Sequence, residues 1–222
     1  MPKEETLKNQ YKDQFDKLSL IINEKLKSQG KIFVVDKENE NVIYALFLYF
    51  NNEPLFEKLR MVENPSLKKS ILLIGNTGSG KTILMEAFGQ MKFTNNTYRS
   101  EYCSDLPDEY KLNKPILLKR TTSFYKADGT FNDVYYDDLG DEEIVNDYGS
   151  YVEVMDKIIV RRNRMWVLKN IKSHLSTNLP LSEIKSRYGE RVYGRLLQQT
   201  NILYLGADEN STNRRLPNNV KG

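Results

Sequence analysis

Apolar residues recur at helical spacing near the start of the chain. Leu7, Tyr11, Phe15, Leu18, Ile22 and Leu26 follow one another at intervals of three and four, which draws a single stripe along a helix over residues 3–30. Gly30 suits its end. "KIFVV" then reads as a short strand, and residues 40–50 as a second helix. Residues 51–70 carry Pro54 and Pro65 and read as a connector with a short helix. Beyond them the pattern alternates. "SILLI" predicts a strand that runs through a glycine-rich turn into the helix "KTILMEAFGQM". "VYYDDLG" predicts a buried strand ending in acids, and "YVEVMDKIIVRRNR" a helix. "IKSHLSTNL" is a strand, "LSEIKSRYGERVYGRLLQQ" a helix and "NILYLG" a last strand. Strands alternating with helices predict an α/β fold, three αβα layers around a mostly parallel sheet. The expected organisation is an N-terminal helical extension and linker over residues 1–65, a core over 66–208 and a polar tail over 209–222. Ligands on such sheets sit at the carboxyl ends of the strands.

The strongest chemical signal lies at the first of those ends. Gly75, Asn76, Thr77, Gly78, Ser79, Gly80, Lys81 and Thr82 complete the pattern G-x-x-x-x-G-K-[ST]. Such a loop wraps backbone N–H groups around phosphates, and the helix behind it adds the positive end of its dipole. Lys81 is expected to reach the β- and γ-phosphates and Thr82 to ligate Mg²⁺. Asp137 ends the strand Val134-Tyr135-Tyr136, where a carboxylate can hold the magnesium shell. Asp138 follows, as an orienting group or base for the attacking water. As a strand-end pair alone, the two acids would also serve to cap a helix.

"DDLG" satisfies the D-x-x-G of GTPases as well. The guanine reader N-K-x-D belongs downstream, however, and Asn113-Lys114 precedes the acids and continues as Pro115-Ile116. ATP is therefore the expected nucleotide. The absence of L-S-G-G-Q argues against a transporter-type ATPase. "HLSTNLP" places Asn178 at a strand end, where its amide can sense the γ-phosphate or the lytic water; an N-cap role for Asn178 or Ser182 is the plainer alternative. His174 is the single histidine and reads as a core or hydrogen-bonded residue rather than a metal ligand. Arg187, Arg191 and Arg195 are spaced by four, so a continuous helix would align them on one face. Gly189 and Gly194 can break that row. The arginines are either a solvated face or a finger for a neighbouring subunit's nucleotide, a charge worth roughly 10³–10⁵ in rate.

The composition excludes little. Of 222 residues, 33 are basic and 30 acidic, a net charge of +3 that neither requires nor excludes nucleic acid. One cysteine, Cys103, permits no disulfide framework, so a reducing cytoplasm is the expected compartment. No signal peptide is read at the start. "VIYALFLYF" is too short to span a bilayer. Lys119, Arg120, Lys126 and the cluster Arg161-Arg162-Asn163-Arg164 are possible contacts to DNA phosphates, and the tyrosines could stack on unpaired bases.

Taken in order, the complete phosphate loop, "YYDDLG", "STNLP" and "RYGERVYGRL" resemble the DnaC/IstB-type AAA+ ATPases, which are helicase loaders and transposition helpers, in the small variety found in phages and mobile elements. The resemblance covers about residues 66–206. It implies an αβα P-loop NTPase core, ATP and Mg²⁺, weak ATPase activity in isolation, and self-association into an AAA+ oligomer. It implies a replicative helicase, a transposase or single-stranded DNA as partner, with no membrane role. Asn178 falls at the first sensor, and Arg191 or Arg195 at the trans-acting arginine, with Arg187 as a third candidate. Arg214 or Arg215 would be a second sensor, but no full helical lid follows. The N-terminal apolar stripe either grips a partner or packs on the core. Two other readings stay open: a small-molecule phosphotransferase of the P-loop kinase kind, with Arg161–Arg164 as its arginine lid, and a nucleotide switch that does not hydrolyse.

Overall fold

The computed structural model describes residue 9 and residues 11–91, 98–121 and 133–206. Leu7, Lys126, Arg214, Arg215 and the tail 209–222 lie outside them. The chain divides into two compact units: Met1–Leu67, Gly75–Thr97 and Leu203–Gly222 in the first, and Lys68–Ile74 and Tyr98–Ile202 in the second.

In the first unit, α1 (Lys12–Leu26) passes into a short 3-10 turn that ends at Gly30. Helix α2 spans Glu40–Phe50, and every residue from Val42 to Phe50 is buried. A helix apolar on all sides is stable only when covered on all sides. The stripe on α1 supplies part of that cover. Tyr11 stacks on Phe47 at 5.6 Å, Leu18 and Ile22 are fully buried, and Gln14 and Asn51 exchange amide hydrogen bonds of 2.8 and 2.7 Å. Phe47 and Phe50 meet Phe88 at 5.1 and 5.3 Å, and Lys25 pairs with Glu86. The stripe therefore packs rather than standing free. "KIFVV" forms no strand. Side-chain amides take its backbone bonds: Phe33 N–H donates to Asn23 Oδ1 at 2.7 Å, and Asn39 Nδ2 donates to the Val34 carbonyl at 3.0 Å. Ile32 and Val34 remain 77% and 57% exposed, so the apolar run has no buried face to gain.

The second unit is built on the sheet. After β1 (Ser70–Ile74) and α3 (Lys81–Gln90, in the first unit) come β2 (Tyr98–Tyr102), α4 (Leu106–Arg120) and β3 (Asp133–Leu139). A hairpin follows, β4 (Val145–Asp147) and β5 (Ser150–Val152), then α5 (Val154–Lys169), β6 (Ser173–Thr177), α6 (Leu181–Gln199) and β7 (Thr200–Tyr204). The strand order is β2-β3-β6-β1-β7, with β2–β3, β3–β6 and β1–β6 all parallel. Strands β1 and β6 are buried at every residue, as central strands of a parallel sheet must be. Leu72, Tyr136, Ile158, Leu175, Ile184 and Leu196 anchor one core. Helix α5 begins at Val154, later than its sequence pattern suggests, because Ser150–Val152 pairs as a strand. Helix α6 is interrupted at Gly189, with φ +76° and ψ 168°, so Arg187 does not share a continuous helical row with Arg191 and Arg195.

The basic cluster on α5 is only partly a surface feature. Arg162 is 1% exposed, and its guanidinium donates to Ser173 Oγ at 2.7 Å and to the Lys172 and Thr121 carbonyls at 2.6 and 3.4 Å. Asn163 is buried too, against Gln199 Oε1 at 3.4 Å. Arg162 is therefore a strut between α5 and the sheet, available neither to DNA nor to a nucleotide lid, while Arg161 and Arg164 are exposed. Arg120 pairs with Glu101 at 2.9 Å and Glu109 at 2.6 Å; Lys119 is exposed.

His174 is buried. Its Nδ1 accepts the Ile71 N–H at 3.1 Å, and its ring lies 5.0 Å from that of Tyr98. Burial, and then the charges of Lys172 and Arg162, push its pKa well below 6.5. The unfolded histidine therefore takes up a proton before the folded one. Its contribution to stability is complete above pH ~6.5 and lost as pH falls, by at most about 1.4 kcal/mol per unit. Urea unfolding from pH 7.5 to 5.5 is expected to show this slope, and His174→Asn to flatten it; equal slopes in both proteins would contradict the assignment. No helix among the described residues is long and apolar enough to cross a membrane.

Candidate functional site

The phosphate loop leaves the sheet directly after Ile74. Gly75 admits no side chain, because a Cβ there would lie 2.0 Å from the Leu205 carbonyl oxygen and 3.0 Å from Ser79 Oγ. Asn76 N–H donates to the Gly206 carbonyl at 3.2 Å, and Ser79 N–H to the Asn76 carbonyl at 3.1 Å. The loop is thus laid against the segment after β7 and closed on itself. Gly80 stands at the N-cap of α3 with φ +100°, a conformation costly for any residue with a Cβ, and turns the chain into the helix. Lys81 is buried, with Nζ donating to the Gly75 and Asn76 carbonyls at 2.8 and 3.1 Å. Ser79 Oγ is buried with no hydrogen-bond partner among the described residues. Thr77, Gly78 and Thr82 complete the loop and the first helical turn. A tight glycine-bounded loop, a helix N-terminus, a buried lysine and an orphaned hydroxyl are a donor set suited to phosphate.

In the second unit, Asp137 and Asp138 lie within β3, which runs one residue further to Leu139 than the sequence suggests. Asp137 is buried, and its Oδ1 accepts from the Tyr135 hydroxyl and, at 2.5 Å, from Ser176 Oγ on β6. Burial and the adjacent carboxylate push the Tyr135 phenol well above its usual pKa, which keeps it a donor. Asp138 stands at φ +52°, a left-handed conformation that aspartate tolerates better than most residues. Its N–H donates to Ser176 Oγ at 3.0 Å, and the ladder to β6 shifts register between Tyr136 and Leu139. The irregularity turns Asp138 out of the alternation that buries Asp137, leaving it half-exposed. The sequence marks both acids but carries no signal for the Ser176 bridge.

Three strand ends share one level in this unit. Thr177 is in register with Ile74 on one side and with Leu139 on the other, and Thr177 Oγ1 donates to the Leu139 carbonyl at 2.6 Å. Asn178 follows at once and is exposed. No group of three His, Cys, Asp or Glu residues among the described ones could hold a metal ion.

The arginines of α6 differ. Arg187 bonds within its own unit, to the carbonyls of Gly140 and Glu142 and, at 3.1 Å, to Glu153. Arg191, beyond the Gly189 break, is exposed and forms no ion pair or hydrogen bond among the described residues. Arg195 is half-buried, and its Nη1 is buried with no acceptor among the described residues.

Comparison with family models and with curated proteins gives no match. Solved structures do match. A DnaC helicase loader aligns with TM-score 0.56 at 19% identity, covering 78% of this chain and 93% of that one. DnaI aligns with TM-score 0.53 at 16% identity, covering 83% and 88%. The replication initiator DnaA bound to AMPPCP and single-stranded DNA aligns with TM-score 0.53 at 16% identity, covering 81% of this chain and 50% of the initiator. The phosphate loop, the parallel sheet and these alignments agree, and the chain has the fold of the DnaC-like AAA+ ATPases.

Proposed function

We propose that this protein binds ATP with magnesium, hydrolyses it, and acts as an accessory factor in DNA replication or transposition by assembling on DNA or on a partner such as a replicative helicase. The observation that carries this reading is the common level of Ile74, Thr177 and Leu139. It brings three strands to one edge of the sheet, and the phosphate loop, Asn178 and the acid pair are the residues the chain carries at those three ends. The amides of Gly75–Thr82 and Lys81 bind the phosphates, and Thr82 and Asp137 hold magnesium. The ion supplies charge neutralisation on the phosphate oxygens. Asp138 orients the attacking water and takes its proton. The Asn178 amide reads the γ-phosphate. Arg191 reaches a neighbouring copy's nucleotide, so a lone subunit has an incomplete site. The solved neighbours support the replication setting, one being a helicase loader and another an initiator bound to single-stranded DNA.

For the phosphotransferase alternative, Arg162 is a core strut and cannot serve in the lid, which leaves Arg161 and Arg164 as its exposed arginines. ATPase rate measured against protein concentration, with and without single-stranded DNA, tests the reading. The specific rate is expected to rise with concentration. A flat rate would contradict assembly-dependent catalysis, and ATP binding without turnover would leave a nucleotide switch.

A further inference from the structure

We propose that Arg187 is a positioning residue that acts in cis on Asp138, and is not an arginine offered to a neighbouring subunit. This rests on the reading of Asp138 as the group that acts on water. The guanidinium lies against the segment that follows the acid pair. Nη1 donates to the Gly140 carbonyl and Nη2 to the Glu142 carbonyl, while Nε and Nη2 hold the Glu153 carboxylate at 3.1 and 3.4 Å. Four of the five N–H groups of the fork are committed within one unit.

The segment it grips has few other ways to move. Asp138 N–H is taken by Ser176 Oγ and the Leu139 carbonyl by Thr177 Oγ1. Gly140 stands at φ +105° with no room for a side chain, since a Cβ would lie 2.4 Å from Leu179 Cδ1. Glu142 is buried and turns its carboxylate back, accepting from the Gly140 N–H at 2.9 Å and from the Tyr188 hydroxyl. The left-handed backbone of Asp138 is thus pinned from β6 on one side and from the first half of α6 on the other. Arg187 and Tyr188 are the last two residues before the break at Gly189. The first half of α6 serves its own subunit's acids, and the second half carries Arg191. A rotation at Gly189 would therefore link the Arg191 segment to the aim of Asp138.

Arg187→Ala is expected to lower kcat by about 10²-fold, the cost of misplacing a catalytic group by an ångström, with ATP affinity unchanged. Mixing with Asp138→Asn subunits, which carry an intact Arg187, would rescue Arg187→Ala if Arg187 acted in trans, and is expected not to rescue it. Rescue, or a wild-type kcat, would overturn the assignment. Arg187→Lys keeps the charge but not the fork, and is expected to recover only part of the rate. Hydrogen exchange in the absence of nucleotide reads the same contact without turnover. The amides of residues 139–142 are expected to exchange faster in Arg187→Ala while those of β6 stay protected. Unchanged exchange in residues 139–142 would overturn the proposal. Loss of turnover in the wild-type chain, with this exchange difference intact, would instead overturn the hydrolytic reading.

Discussion

Arg191→Ala is expected to reduce ATP turnover by about 10³-fold or more, the range found when an arginine supplied across an interface is withdrawn from phosphoryl transfer. ATP affinity should change little, because the charge acts on the transition state rather than the bound ground state. The choice among the three arginines is structural. Arg187 is held by its own unit. Arg195 is half-buried. Arg191 is exposed, lies past the break at Gly189 and has no partner among the described residues. An exposed guanidinium with nothing to hold it loses little on transfer to an anionic site. Turnover measured at saturating ATP, over a range of protein concentration, checks this. Wild-type turnover in Arg191→Ala at every concentration would remove it from the mechanism.

Gly75→Ala should abolish measurable ATP binding although the change is one methyl group. The added Cβ meets the Leu205 backbone at 2.0 Å and Ser79 Oγ at 3.0 Å. Leu205 is itself buried, so the loop must give way, and the amides that receive phosphate move with it. Overpacking of this kind costs about 1–3 kcal/mol of stability. Gly194→Ala is the internal contrast. It sits within α6 with open space around its Cβ position, and is expected to stabilise the chain by up to about 1 kcal/mol through helix propensity. Isothermal titration with ATP and urea unfolding of both variants give the comparison. Normal ATP affinity in Gly75→Ala would mean that the loop does not need its present path.

What was legible in the sequence was what chemistry restricts. The turn between β1 and α3 tolerates few residue types at Gly75 and Gly80, so this strand, turn and helix read directly from the residues. Helix α2 was legible because nine consecutive buried residues leave a dense apolar run. Strand β2 and helix α4 were not. Strand β2 has one buried residue among five, and α4 carries a non-helical Asn113 and an internal Pro115. Neither leaves a clear period. The β4–β5 hairpin is announced only by the turn residues Asp147-Tyr148-Gly149, with φ of +51° and +84° at Tyr148 and Gly149. Arg162 shows the limit of reading charge from composition: a basic cluster looks solvated until the acceptors that bury one of its members are seen. The same holds for Arg187, whose partners lie at least 34 residues away in the chain.

The proposed hydrolysis requires one magnesium–ATP complex to be shared by the loop Gly75–Thr82 and the carboxylate of Asp137. Titration of ATP into the wild-type chain and into Asp137→Asn, each with and without magnesium, tests this most directly. The wild type should bind ATP more tightly when magnesium is present, and Asp137→Asn should bind with the magnesium-free affinity under both conditions. An Asp137→Asn protein that gains as much from magnesium as the wild type, or a wild type that does not bind ATP, would contradict it.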